Sequence, residues 1–197
     1  MTEKPVLYIY SPQEQRLTVS VDVDGAIDTV YPAPDALETT DWGTQASWTV
    51  TASPDGTLTD ASGRTYPSLF WDGPVGQESP EEGFVVARED AVPFLEEKLA
   101  LLGLTDKEAA DFITYWAPRI RANEYTFVSF DASSYTAHAR YSFTDEAGAP
   151  VKPDTFIRVF MTIRQAEATT QVREQAFGPT PQRTGLVAVE WGGTEEQ

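Results

Sequence analysis

The first ninety positions fall mainly into short strand-like runs, apolar or alternating, and helical spacing begins only near the middle of the chain. Val6-Leu7-Tyr8-Ile9-Tyr10 is a short, wholly apolar run closed by Ser11-Pro12, the pattern of a buried strand. Leu17, Val19, Val21 and Val23 alternate with Thr18, Ser20 and Asp22, which predicts a strand with one wet face. Asp24-Gly25 then turns the chain into Ala26 to Tyr31, so 16–31 is expected to be a hairpin. A second hairpin is expected between 48–51 and 57–59 across Ser53-Pro54-Asp55-Gly56, where Pro presets φ and Gly accepts positive φ. Arg64 to Trp71 is a further β-like run, ended by Asp72-Gly73-Pro74.

The centre changes to helical spacing. Val92, Leu95, Leu99 and Leu102 line one face of a helix that Glu89 or Asp90 can cap and Gly103 can stop. Thr105-Asp106-Lys107-Glu108 matches a capping box, in which a hydroxyl and a carboxylate each satisfy an orphan amide. The helix it opens carries Ala109, Phe112, Ile113, Trp116 and Ile120, and Pro118, which has no N–H, should kink or end it. Strand patterns return at 125–130, 135–143, 156–163 and 186–191, while 166–176 fits either a short helix or a polar strand. This order implies an α+β fold, antiparallel and β-rich, with a central helical hairpin at about 90–122. Residues 1–197 are expected to form one domain, with 1–88 as a β-rich subdomain packed on 89–197 as the finer division.

Charge narrows the classes of function. The chain has 14 Lys+Arg against 31 Asp+Glu, a net charge of −17, and no cysteine. Such a polyanion repels nucleic acid, and disulfides, thiolate nucleophiles and cysteine-ligated metals are excluded. No apolar run approaches the ~20 residues of a membrane span, so no membrane insertion is expected. Met1-Thr2-Glu3-Lys4 is not followed by a signal-peptide core. The acids concentrate in the first half, and between Arg16 and Arg64 there are eight acids and no base. A solvated face is the ordinary explanation of such a block; a surface for cations or a basic partner is the sharper one.

Few motifs carry chemistry. His138, the only histidine, falls in the strand-like run 135–143 beside Thr136 and Arg140, as a surface residue would. Asp22, Asp24 and Asp28 flank Gly25 like a calcium loop, yet the EF-hand spacing and its Glu at position twelve are missing, and Asp-Gly is primarily a hairpin turn. No cofactor is expected. Asp72 and Glu190 each adjoin a tryptophan and a glycine, in Phe70-Trp71-Asp72-Gly73 and Glu190-Trp191-Gly192-Gly193. A carboxylate beside an aromatic platform suits a sugar ring; the competing explanation makes Trp71 and Trp191 core anchors followed by glycine turns. Arg158, among large apolar neighbours, is expected to be partly buried and paired with a carboxylate from the acid-rich first half, with an anion site as the functional alternative. Tyr115, in the aromatic block 112–118, joins Trp71, Asp72, Arg158, Glu190 and Trp191 as a ligand-binding candidate.

Several aromatic blocks recur together in one order: Lys4-Pro5-Val6 with Tyr8 and Tyr10, Tyr66 with Leu69-Phe70-Trp71-Asp72-Gly73, Tyr115-Trp116 with Pro118, Arg158-Val159-Phe160-Met161 and Glu190-Trp191-Gly192-Gly193. With them the chain resembles an uncharacterised bacterial domain family of firmicutes and their neighbours, often a module of secreted or surface proteins. The resemblance implies a secreted or cell-surface parent and brings no activity with it. Relatives tend to carry Glu at position 72 and a small polar residue at 138. The function expected from all this is a non-catalytic binding or interaction module, for carbohydrate, another surface polymer or a protein partner. A carboxylate-dependent hydrolase working near Asp72 and Glu190, and a purely structural domain, are the alternatives.

Overall fold

The computed structural model of the chain describes residues 3–76 and 78–196. It is strand-rich, with 44% of residues in strands and 18% helical. The chain opens with eight strands: β1 (Glu3–Tyr10), β2 (Gln15–Val23), β3 (Thr29–Tyr31), β4 (Ala36–Thr39), β5 (Thr44–Ala52), β6 (Leu58–Thr59), β7 (Thr65–Tyr66) and β8 (Leu69–Asp72). Next come β9 (Glu82–Ala87), a 3₁₀ turn at Arg88–Asp90, helices α1 (Ala91–Leu101) and α2 (Asp106–Ile120), and β10 (Tyr125–Ser129). A short helix α3 (Ser133–His138) precedes β11 (Ala139–Thr144), β12 (Pro150–Val151), β13 (Thr155–Ala166), β14 (Arg173–Glu174) and β15 (Val187–Glu195).

Two compact units divide the chain. Unit 1 takes residues 1–78, 133–158 and 183–192; unit 2 takes 79–132, 159–182 and 193–197. In unit 1, one run of strands has the order β15-β1-β8-β3 and another the order β12-β11-β2-β5-β6-β7, with β4 also on β5. The β2–β5 ladder is nine residues long, from Gln15 opposite Ala52 to Val23 opposite Thr44. Leu17, Val19, Val21 and Val23 are all fully buried, as are Ala46 and Ala52 on β5, with Trp48 and Val50 close to it. Burying these alternate side chains at roughly 25 cal/mol per Å² fixes the register, because a one-residue slip would turn the whole set to water.

That ladder corrects the first expected hairpin. β2 pairs with β5 and β11, and β3 pairs with β8, so 16–31 is not a hairpin. A nine-residue ladder with an apolar face outweighs one local Asp-Gly turn signal, and Gly25 instead bridges to Val75. The run 64–71 is likewise broken at Pro67-Ser68, with β7 joining β6 and β8 joining β1. The second expected hairpin is present: Thr51 faces Thr59, Ala52 faces Leu58, and Gly56 sits at φ 85°.

Unit 2 has the strand order β14-β9-β10-β13, with α1 packed on α2. Helix α1 buries Ala91, Leu95 and Leu99; α2 buries Phe112, Trp116, Ala117 and Ile120. The capping box forms in full: Glu108 N–H donates to Thr105 Oγ1, and Thr105 N–H donates to Glu108 Oε2 at 2.8 Å. Asp90 occupies the N-cap of α1 without a side-chain capping bond, because the 3₁₀ turn already leads the chain in. Pro118 does not end α2, which runs on to Ile120. The ambiguous stretch 166–176 holds the end of β13 and the short strand β14. No helix among the described residues is long and apolar enough to cross a membrane.

Candidate functional site

The sequence candidates separate into a buried cluster and a set of scattered residues. Glu190, on β15, is fully buried in unit 1. Its Oε1 accepts from the Tyr135 hydroxyl at 2.6 Å and its Oε2 from Arg158 Nε, also at 2.6 Å. The Arg158 guanidinium carbon lies 5.2–5.4 Å from the ring centres of Tyr135, Tyr141 and Phe156, a cage of aromatic faces around a cation. Burial alone would pull the Arg158 guanidinium down, but the Glu190 carboxylate beside it holds it above its ordinary range. Burial, then the Glu190 charge, pushes both tyrosine hydroxyls well above 10.0. Trp71, 1% exposed, donates its indole N–H to Tyr141 Oη at 2.8 Å, and Trp191, 0% exposed, donates to Tyr8 Oη at 3.2 Å.

This arrangement corrects the expected sugar platform. Trp71 and Trp191 are core anchors whose indoles face other side chains, and Glu190 is consumed by a buried ion pair. Asp72 remains half-buried at the end of β8, where its carbonyl accepts from Asp28 N–H. The partner of Arg158 also comes from the last strand, not from the acid-rich first half. Tyr115 lies apart in unit 2, where the Arg119 guanidinium carbon stands 3.8 Å from its ring centre.

Sequence pattern also placed 135–143 on one strand. The structure makes Ser133–His138 a helix, and the change decides the cluster, since Tyr135 reaches Glu190 from that helix while Tyr141 approaches from β11. His138, at the helix end, contacts Asp24 Oδ2 through Nδ1 at 3.0 Å. Asp22 accepts from Gln45 Nε2 at 2.9 Å. No group of three His, Cys, Asp or Glu side chains able to hold a metal ion occurs among the described residues.

The outer face of β11-β2-β5 has a different character. Its cross-strand rows read Arg140–Asp22–Gln45, then Ser142–Ser20–Ser47, then Thr144–Thr18–Thr49, and finally Arg16–Thr51. Every one of these side chains is half-buried or exposed. Ser20 and Ser47 hydroxyls lie 2.7 Å apart, and those of Thr18 and Thr49 3.1 Å apart. From Asp22 to Arg16 the face spans seven residues of β2, about 20 Å at strand rise. One end is closed by Trp42, half-buried, with the Arg140 guanidinium carbon 4.2 Å from its ring centre. The other end opens into a depression of about 280 Å³ lined by Arg16, Leu17, Thr18, Thr49, Asp145 and Glu146. The alternation of Thr18, Ser20 and Asp22 was the sequence signal for the central strand of this face; its neighbours overlap the runs 48–51 and 135–143, also strand-like in sequence, but no local pattern paired them with it.

Compared with sequence-family profiles, curated proteins and solved structures, the chain matches none.

Proposed function

We propose that this protein is a non-catalytic binding module that lays an extended surface polymer, of carbohydrate chemistry, along the outer face of β11-β2-β5. The observation that carries the reading is the ladder of paired Ser and Thr hydroxyls. A face about 20 Å long, presenting donors and acceptors in every row, matches a ligand that is itself a string of hydroxyls. Trp42 supplies an aromatic edge at one end, where C–H faces can stack. The burial of Glu190 removes one of the two carboxylates on which the hydrolase alternative rested, which favours binding over catalysis. The net charge of −17 argues against nucleic acid as the polymer. Membership of the firmicute-type surface-module family, and an α+β fold with a helical hairpin at about 90–122, belong to the same proposal.

Affinity electrophoresis tests it, since a chain of this charge migrates readily in native gels. Hydroxyethylcellulose, xylan or mannan in the gel is expected to retard the wild type. Trp42→Ala and Ser47→Gln are expected to abolish that retardation while thermal unfolding stays unchanged. Unretarded migration in all three polymers contradicts the carbohydrate reading and leaves a structural domain.

A further inference from the structure

We infer that the depression at the Arg16 end of this face is a subsite for one diol-bearing sugar ring that carries no negative charge, so that the polymer is not a phosphorylated or uronic glycan. The inference rests on the proposed binding face and adds the class of ligand.

The depression presents both kinds of hydrogen-bonding group. Arg16 and Glu146 stand 3.9 Å apart with side chains 48% and 72% exposed, too long and too wet for a strong bond. Each therefore retains hydrogen-bonding capacity toward a ligand. Asp145 is fixed in place, because its Oδ1 accepts from Ala147 N–H at 2.9 Å and from Ala149 N–H at 2.8 Å. The Thr18 and Thr49 hydroxyls add donors and acceptors to the lining. A sugar hydroxyl is donor and acceptor at once, so adjacent hydroxyls can donate to a carboxylate while accepting from the guanidinium. A volume of about 280 Å³ holds a single ring and not a longer segment.

Charge selects among sugars. Two carboxylates face one guanidinium here, and the chain from Leu17 to Gly63 contains acids but no base. An anionic ring would set its charge against Asp145 and Glu146 with Arg16 alone in its favour. An ammonium would meet one like charge at Arg16 and two opposite charges at Asp145 and Glu146, so the lining selects against an anionic ring and not against a cationic one. A neutral diol bonds to both kinds of group.

Calorimetry with defined hexasaccharides tests the assignment: cellohexaose, mannohexaose and xylohexaose as neutral probes and hexagalacturonate as the anionic one. At least one neutral probe is expected to bind, with an affinity that changes less than about twofold between about 50 and about 500 mM NaCl. Arg16→Ala and Glu146→Gln are expected to weaken it about tenfold each. Both residues are exposed, so these variants should unfold at the wild-type temperature. Tighter binding of hexagalacturonate than of every neutral probe overturns the inference. So does a neutral probe whose binding is lost in Trp42→Ala but unchanged in Arg16→Ala and Glu146→Gln; the binding face then stands without this subsite. If no probe binds, the face and the subsite fall together.

Discussion

Glu190 shows how strongly one side chain's surroundings decide its role. A carboxylate at 0% exposure is stable only if its charge is matched and both oxygens are hydrogen-bonded, and Arg158 and Tyr135 do this at 2.6 Å each. Glu190→Gln should therefore destabilise the fold by about 3–5 kcal/mol, because it leaves Arg158 buried without its counter-charge. Tyr135→Phe removes one hydrogen bond and should cost about 1–3 kcal/mol. Urea unfolding of the two variants against wild type measures both; equal and small losses would show that the cluster is solvated. Its tyrosines also give a pH dependence. Tyr135 and Tyr141 are held protonated above 10.0 in the folded state, first by burial and then by the Glu190 charge. A group whose folded pKa is raised contributes stability that is complete below its unfolded value and is lost as pH rises past it. Stability should thus fall as pH climbs above about 10, and absorbance titration should show these two phenols ionising only with unfolding. Tyr141→Phe should flatten part of that fall.

At the scale of elements, the two central helices and the hairpin closed by Pro54-Asp55-Gly56 were legible in the sequence, while distant strand partners and the short helix Ser133–His138 were not. The capping box at Thr105–Glu108 is local, four residues whose geometry needs nothing from elsewhere, and it forms as the spacing predicts. Thr105→Ala should lower stability by about 1 kcal/mol, read as a shift in the urea midpoint with unchanged slope. Strand pairing instead depends on residues far apart in the chain. The Asp24-Gly25 signal favoured a hairpin, yet β2 found β5 and β11 because burial of four fully enclosed side chains outweighs one turn. The segment 135–143 is strand only from Ala139 onward, for a similar reason. Its alternation fits a strand, but a helix at Ser133–His138 lets Tyr135 reach a carboxylate 55 residues away, a contact no local pattern contains. The glycines of the last strand have the same logic. A Cβ at Gly193 would collide with the Met161 carbonyl and the Trp116 ring, so the Trp-Gly-Gly block that suggested a ligand platform is there to let neighbours approach.

For the whole molecule, the aromatic blocks singled out in the sequence supply much of its interior. Trp71, Trp116 and Trp191 are all essentially inaccessible. The excess of acids bears on ligand choice as well as on solubility. A face with paired hydroxyls, bordered by Asp22, Asp145 and Glu146, suits a neutral partner better than an anionic one. Six of the face's residues, Thr18, Ser20, Ser47, Thr49, Ser142 and Thr144, come from three separate stretches. The wet side of β2 was therefore readable from sequence, while the platform it belongs to was not. The most direct test is a ¹⁵N shift map of the full chain titrated with cellohexaose, mannohexaose and xylohexaose in turn. The account predicts saturable shifts concentrated at Trp42 and these six residues, with the interior of unit 2 unmoved. Shifts confined to residues away from β2, β5 and β11, or no saturable shift with any of the three, would contradict it.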